Sequence, residues 1–465
     1  MNASYDYDLI VIGSGPAGQK AAIQAAKIHK RVAIIERGRD IGGVAVHTGT
    51  IPSKTLREAV MYLSGYDQRG LYGKAYRLKD ELTMADLLQR VAITINQETE
   101  VMAHQLRRNG VVIIKGSASF VDAHTIQVQG CDGKDSQLRG EFVLLATGTR
   151  PMRPANVEFD GETIIDSDDV LLLKKIPHSM AVIGAGVIGV EYASIFGALD
   201  IKVNLVDGRD AMLGFMDREI IDELTHLMRD RGTVIRFGES VASVVKDADE
   251  QAVITLESGK KFRADLVMFA AGRMGCTSSL NLENAGLEAD KSHRVKVNEF
   301  YQTAVPNIYA AGDLIGFPSL ASTSMEQGRL AARHAFGLSL HTRPELFPFG
   351  VYAVPEMSMV GKTEEELTRD KVPYEVGIAR LKETARGHIK GLQEGMLKLI
   401  FSIEDRKLLG VHVLGEDATE LVHIGQAVLA LGGDLDFFIE NVFNYPTLAE
   451  AYKIAALDAA NRLVV

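Results

Sequence analysis

The chain is short of thiols and has no tryptophan at all: its 465 residues include only Cys131 and Cys276. Two cysteines so far apart build neither a disulfide framework nor a thiolate metal cluster, so both read as structural or incidental and no metal is expected. Positive charge is outnumbered, 51 Lys and Arg against 61 Asp and Glu. The formal net charge is −10, which argues against broad electrostatic capture of nucleic acid or an anionic membrane. No apolar run approaches the roughly 18 residues of a membrane span. The polar, acidic start Met1–Asp8 has no basic n-region or signal-like core, so a cytoplasmic protein with no nucleic-acid or membrane partner is expected. What is present is ordinary for a globular protein, 46% apolar and 24% charged residues. The length exceeds what one hydrophobic core usually fills, so roughly two to four domains are expected.

Two segments share one design. Tyr7–Ile12 is a short apolar strand, Gly13-Ser14-Gly15-Pro16-Ala17-Gly18 a tight turn, and Gln19 to Ile28 an Ala-rich helix. In such a turn the first glycine permits the bend, the second lets a pyrophosphate approach the backbone, and the third lets helix and strand pack closely. The helix N-terminus then faces the phosphates with unpaired amides. A second strand ends at Glu36, eighteen residues after Gly18, where a carboxylate can meet a ribose diol.

The pattern returns with strand Met180–Ile183, turn Gly184-Ala185-Gly186-Val187-Ile188-Gly189, helix Val190 to Leu199, and a strand ending at Asp207, again eighteen residues past the last glycine. Two such sites imply two dinucleotides, one resident and one exchanged, which fits a flavin with a nicotinamide. Asp207 suits the NAD ribose, and Arg209 two residues later can meet the 2′-phosphate of NADP. A solvated Asp207–Arg209 pair is the alternative.

Val143–Thr149, with Thr147 and Gly148, resembles the A-T-G strand that closes a first flavin-binding half. Thr303 and Ile308–Asp313, with Gly312 and Asp313, resemble the second flavin fingerprint, whose aspartate binds the ribitol chain. With Val351–Gly361 and Gly395–Ile400, the residues are similar to those of the pyridine nucleotide-disulfide oxidoreductases (class I) over nearly the whole chain. That resemblance implies an α/β fold of two Rossmann-like dinucleotide-binding domains, for FAD and NAD(P), plus a C-terminal α+β dimerisation domain. The boundaries expected are 1–150 and 277–346 for the FAD domain, 151–276 for the NAD(P) domain, with Gly272 near its end, and 347–465 for dimerisation. A homodimer or larger homo-oligomer is implied.

Against that family the telling absence is local. Gly42–Lys54 keeps the frame G-G-x-C-x4-C-I-P-S-K, yet Ala45 and Thr50 stand where the two redox cysteines belong. A dithiol relay needs a thiolate. The family's C-terminal H-P-T-x-x-E, which supplies a proton to that thiolate, is here Tyr445-Pro446-Thr447-Leu448-Ala449-Glu450. Tyrosine, with a pKa of about 10 against about 6.5 for histidine, is a poor proton shuttle near neutrality. The two losses are chemically coherent, since without a leaving thiolate no acid is required.

T-G-T-I-P-S-K together with F-N-Y-P-T is similar to the soluble, Si-specific NAD(P)+ transhydrogenase branch of the family. That likeness implies reversible ping-pong hydride transfer from NADPH to NAD+ through FAD, with NAD(H) and NADP(H) as substrates. In that branch the first cysteine is generally kept, and Ala45 departs from it. The resemblance also puts Lys54 near flavin N5 with Glu191 as its partner. Thr50 could hydrogen-bond the ring or simply fill space, and His47 reads as incidental. Tyr445 and Glu450 read as architectural before catalytic. An NAD(P)H-dependent quinone or dye reductase and a catalytically retired FAD-binding assembly module remain alternatives.

Overall fold

Strand Tyr7–Ile12 runs parallel to Val32–Glu36 on one side and Asp135–Leu145 on the other. Val112–Phe120 and Ile308–Ala310 extend the sheet beyond them, also in parallel. Successive side chains of a strand point to opposite faces, and here both faces are covered. Leu9, Val11, Ile34 and Leu144 enter one core, whereas Ile10, Ile12, Ile35 and Leu145 enter another. That is why Leu9–Ile12 and Val32–Ile35 read as unbroken apolar runs, as parallel strands buried on both faces do. The structure, a computed structural model, describes residues 5–73, 75–79, 81–339 and 346–463.

The chain forms two compact units, Met1–Leu56 with Leu88–Met152 and Gly272–Arg343, and Arg57–Leu87 with Arg153–Ala271 and Pro344–Val465. In the first unit, helix Pro16–Lys27 follows the first strand directly, with proline at its start. Proline is favoured there because its missing N–H would have no partner anyway. The helix begins three residues before the expected Gln19, and helix Val187–Gly197 likewise begins three before Val190. In both cases the last glycine of the turn is already inside the first helical turn. Helix Ala321–Ala335 lies so close to Pro16–Lys27 that a Cβ on Gly328 would stand 2.0 Å from the Ala17 carbonyl oxygen. Where the chain leaves and re-enters this unit, Thr149–Pro151 and Arg273–Gly275 pair antiparallel.

The second unit repeats the arrangement with five parallel strands in the order Val234–Phe237, Lys202–Asp207, Ser179–Ile183, Leu266–Phe269 and Ile164–Asp166. It also holds an antiparallel sheet of Phe349–Val351, Met357–Gly361, Leu408–Leu414, Met396–Ser402 and Tyr374–Arg380. Helices Ala418–Ala430 and Glu450–Arg462 pack on that sheet around the fully buried Tyr452. The Tyr452 hydroxyl donates to the Leu421 carbonyl at 2.7 Å and accepts from the Gly425 amide at 3.1 Å, so the buried polar group is satisfied.

Residues 57–87 also group with this unit, within which Arg57 is bonded to the Ala353 carbonyl. Among the described residues no helix is long and apolar enough to cross a membrane.

Candidate functional site

Both glycine turns are dictated by backbone proximity. A Cβ on Gly13 would lie 2.3 Å from the Ala146 carbonyl oxygen, and one on Gly18 2.0 Å from that of Gly13. In the second turn the distances are 2.5 Å from Gly184 to Ala270 and 1.8 Å from Gly189 to Gly184. The middle glycines differ: nothing lies within 4 Å of a Cβ on Gly15 or Gly186. Each turn therefore leaves open space at the position where a pyrophosphate would approach a helix N-terminus.

Each turn is closed by its predicted carboxylate. Glu36 is 8% exposed. It accepts from the Ser14 amide at 3.0 Å, the Ser14 hydroxyl at 2.6 Å and the Gly38 amide at 2.6 Å. The Ser14 hydroxyl also accepts from the Gly42 amide at 2.9 Å, and a Cβ on Gly43 would lie 3.0 Å from the Gly15 Cα. Ser14 thus ties the phosphate turn, the acidic strand end and the start of the 42–54 segment together. Sequence reasoning missed it; its only signal was a hydroxyl between two glycines.

Asp207 accepts from the Ala185 amide at 2.5 Å, the counterpart of the Ser14 contact. It also accepts from Arg209, through the amide at 2.8 Å, Nε at 2.9 Å and Nη2 at 2.7 Å. Burial pushes the Asp207 carboxyl up, but these donors outweigh it and hold it below the usual carboxylate range. The Asp207–Arg209 pair that the sequence offered as the alternative is thus formed, with the Arg209 side chain 57% exposed.

At the same C-terminal end of the first sheet, Thr149 Oγ1 donates to Asp313 at 3.3 Å and accepts from Arg273 Nε at 2.8 Å. Arg273 Nη2 also donates to the Thr149 carbonyl at 2.9 Å. Burial raises the Asp313 pKa, with the Arg273 charge and the Thr149 hydroxyl pulling against it. Gly312 donates its amide to Gln327 Oε1 at 2.9 Å. Thr303 Oγ1 donates to the Ile308 carbonyl at 2.8 Å and so braces the strand that carries them.

Thr147 Oγ1 is buried with no hydrogen-bond partner, and Gly148 beside it faces open space. A buried hydroxyl without a partner is costly. An orphan there, with Gly15 open, fits a ligand that carries both phosphates and hydroxyls along this edge. Gly272 sits where the chain returns to the first unit, its carbonyl accepting from the Met152 amide at 3.0 Å.

The sulfur-free segment forms the short helix Gly43–His47, carrying half-buried Ala45, and then the helix Thr50–Leu63, which starts at the exposed Thr50. His47 Nε2 bonds the Ile41 carbonyl at 2.8 Å, a local anchor. Lys54 Nζ donates to Ser53 Oγ at 3.2 Å. In the second unit Glu191, 2% exposed, accepts from the Tyr352 amide at 2.9 Å. Tyr445 is 70% exposed. Glu450 accepts from the Ala385 amide at 2.9 Å, at the start of helix Ala385–Lys390.

This is a two-Rossmann α/β protein with a further, antiparallel sheet. A family model described as pyridine nucleotide-disulphide oxidoreductase matches residues 7–328, and the model for that family's dimerisation domain matches 347–456. The chain belongs to the pyridine nucleotide-disulphide oxidoreductase family, whose membership implies binding of a flavin and a pyridine nucleotide.

It is 55% identical over 459 residues to the soluble pyridine nucleotide transhydrogenase of Mycobacterium tuberculosis (strain ATCC 25177 / H37Ra), covering 98% of each chain. It is 45% identical over 467 residues to the protein of the same name from Colwellia psychrerythraea, covering 100% of each. Among solved structures, LpdA from Mycobacterium tuberculosis superposes with a TM-score of 0.89 at 26% identity, over 98% of this chain and 100% of that one. The flavoprotein disulfide reductase RclA from Escherichia coli gives 0.87 at 25%, over 97% and 99%.

Proposed function

We propose that the chain is an FAD-dependent soluble transhydrogenase, exchanging hydride reversibly between NADPH + NAD+ and NADP+ + NADH by a ping-pong route without a redox disulfide. One observation carries this reading. Both glycine turns are fully built, yet the 42–54 segment between them contains no sulfur, in a chain similar end to end to relatives bearing the transhydrogenase name. FAD, when bound, would supply a carrier that accepts two electrons as hydride and gives them back.

The protein's part is to bind and orient. Gly13, Gly15, Gly18 and the Ser14–Glu36 pair would hold the FAD pyrophosphate and ribose, with Thr147, Gly148 and Gly312 along the same edge and Asp313 meeting the ribitol. Gly184, Gly186 and Gly189 would take either nicotinamide nucleotide in turn, with Asp207 suited to the NAD diol and Arg209 to the NADP phosphate. Lys54, with Glu191 as its partner, would set the charge beside the hydride-accepting atom. Ala45 and Thr50 leave no thiolate to divert the electrons, and Tyr445 has no leaving thiolate to protonate.

The assignments follow as 1–150 and 277–346 for FAD, 151–276 for NAD(P), and 347–465 for a homodimer or larger homo-oligomer, in the cytoplasm.

Anaerobic NADPH is expected to bleach the yellow holoprotein and NAD+ to restore it, with NADPH-dependent reduction of thio-NAD+ faster than that of a quinone. A flavin that NADPH leaves yellow would exclude the proposal, and faster quinone reduction would favour a quinone reductase. In stopped flow, Lys54→Ala should slow flavin reduction by about a hundredfold; an unchanged rate removes Lys54 from the step. Arg209→Ala should raise the KM for NADPH about tenfold and leave that for NADH nearly unchanged. Equal changes in both would mean that Arg209 does not meet the 2′-phosphate.

A further inference from the structure

Arg57 stands three residues beyond Lys54 on the helix Thr50–Leu63, and none of the chemistry above uses it. Its side chain is 6% exposed, deep enough that an unpaired guanidinium would be severely destabilising. All three nitrogens are engaged. Nε donates to the Ala353 carbonyl at 2.9 Å, Nη1 to Glu58 at 2.8 Å, and Nη2 faces Glu356 Oε1 at 3.4 Å. Glu356 is held through its other oxygen, which accepts from the Thr419 amide at 3.2 Å and hydroxyl at 2.7 Å. Burial pushes the Glu356 carboxyl up and the Arg57 charge pulls it back, so each group of the pair offsets the other's desolvation.

Ala353 is the centre of a three-residue bridge. On either side of it, the Tyr352 amide donates to Glu191 Oε1 at 2.9 Å and the Val354 amide to Ser194 Oγ at 3.0 Å. The amides of 352 and 354 are thus fastened to helix Val187–Gly197, and the carbonyl between them to Arg57. Glu191, inside an otherwise strongly apolar helix, has a carboxylate oxygen fixed by the first of these amides.

We infer that Arg57 is a positioning residue for hydride transfer, setting the orientation of the Glu191 carboxylate through the backbone of residues 352–354. The inference rests on the role of Glu191 proposed above. Arginine is required because a planar fork reaches the Ala353 carbonyl and Glu356 together, which a lysine ammonium cannot do. Misplacement of a group near the reacting atoms by a fraction of an ångström is enough to slow a reaction severalfold or more.

The test uses the holoprotein as Arg57→Met, Arg57→Lys, Glu191→Gln and the double variant Arg57→Met/Glu191→Gln. NADPH-driven flavin reduction is followed in stopped flow, and backbone protection of 350–355 by hydrogen exchange. Arg57→Met should reduce flavin about tenfold more slowly at saturating NADPH, with half-saturation and FAD content unchanged. The Tyr352 and Val354 amides should exchange faster by about tenfold.

The double variant should be no slower than Glu191→Gln alone, because the two residues act through one carboxylate. Arg57→Lys should remain slow. If Arg57→Met does not fold, Arg57→Lys runs the same cycle. Losses that multiply in the double variant, or a wild-type rate in both Arg57 variants, would overturn the inference while leaving Glu191 in place. A wild-type rate in Glu191→Gln would instead remove the role of Glu191, and the inference with it.

Discussion

Lys398→Met is expected to lower the unfolding free energy by about 3–5 kcal/mol, the usual cost of stripping one partner from a buried charge cluster. Lys398 lies on strand Met396–Ser402 with 0% of its side chain exposed. Its ammonium meets Asp217 at 2.8 Å, Glu219 at 3.0 Å and Glu364 more closely still. Asp217 is itself the N-cap of helix Arg218–Asp230, accepting from the Glu219 amide at 3.2 Å. One buried carboxylate thus ends a helix and fastens it to the C-terminal sheet. Burial alone would depress the lysine pKa, and the carboxylates reverse the shift upward. The three acidic groups converge as a metal site would, but the cation they face is the protein's own ammonium. Urea denaturation measures the loss. A change below about 1 kcal/mol would show the cluster to be energetically neutral, and Asp217→Asn added to Lys398→Met should recover part of the loss.

The same cluster predicts sensitivity to acid. His412 pairs in register with Lys398 across the sheet, and its Nε2 bonds the Lys362 carbonyl at 2.9 Å. A carbonyl only accepts, so Nε2 carries the proton and Nδ1, which has no partner, carries none. Burial lowers the His412 pKa below its ordinary 6.5, against the opposing pull of Asp217. Asp217 is also lowered: burial raises it, but His412 and Lys398 more than compensate. Both are depressed groups, so their stabilisation is present above the unfolded pKa and is lost as pH falls through the folded one. Stability should therefore decline below about pH 6.5, and His412→Gln should flatten the first part of that decline. An unchanged pH profile in His412→Gln would assign the loss to carboxylates alone.

Gly18→Val and Gly189→Val are expected to separate the two nucleotide sites. In each case the new side chain would begin 2.0 Å or 1.8 Å from a backbone carbonyl oxygen of the same turn. Backbone cannot rotate away as a side chain can, so the helix must lift from its strand. Overpacking of this kind costs about 1–3 kcal/mol, up to roughly a hundredfold if it falls on binding. Gly18→Val should purify without FAD. Gly189→Val should remain yellow yet fail to bleach with NADPH at concentrations that reduce the wild type. Loss of flavin from both variants would mean that the two turns do not serve separate ligands.

Much of this protein is written in local sequence. The two turns were legible because glycine spacing, the strand before and the carboxylate after all lie within one short stretch, and their physics is that of neighbouring backbone atoms. The helices were placed three residues late for the same reason in reverse. Gly18 and Gly189 read as turn residues, whereas the N-caps are Gly15 and Gly186, which puts Gly18 and Gly189 at the third helical position. Glu450, read from its motif as architectural before catalytic, accepts from the Ala385 amide at the start of helix Ala385–Lys390.

The sequence alone determined the two strand–glycine turn–helix units and the absence of a redox thiol at positions 45 and 50. Each depends on residue type and near-neighbour spacing. Only the tertiary structure decided which distant groups meet. Ser14 meets Gly42 across 28 residues, Arg273 meets Thr149 across 124, Lys398 meets Asp217 across 181, and Arg57 meets Ala353 across 296. No stretch of chain encodes such a partner. A buried charge or hydroxyl must find a counterpart wherever folding brings one, and that choice is made by packing.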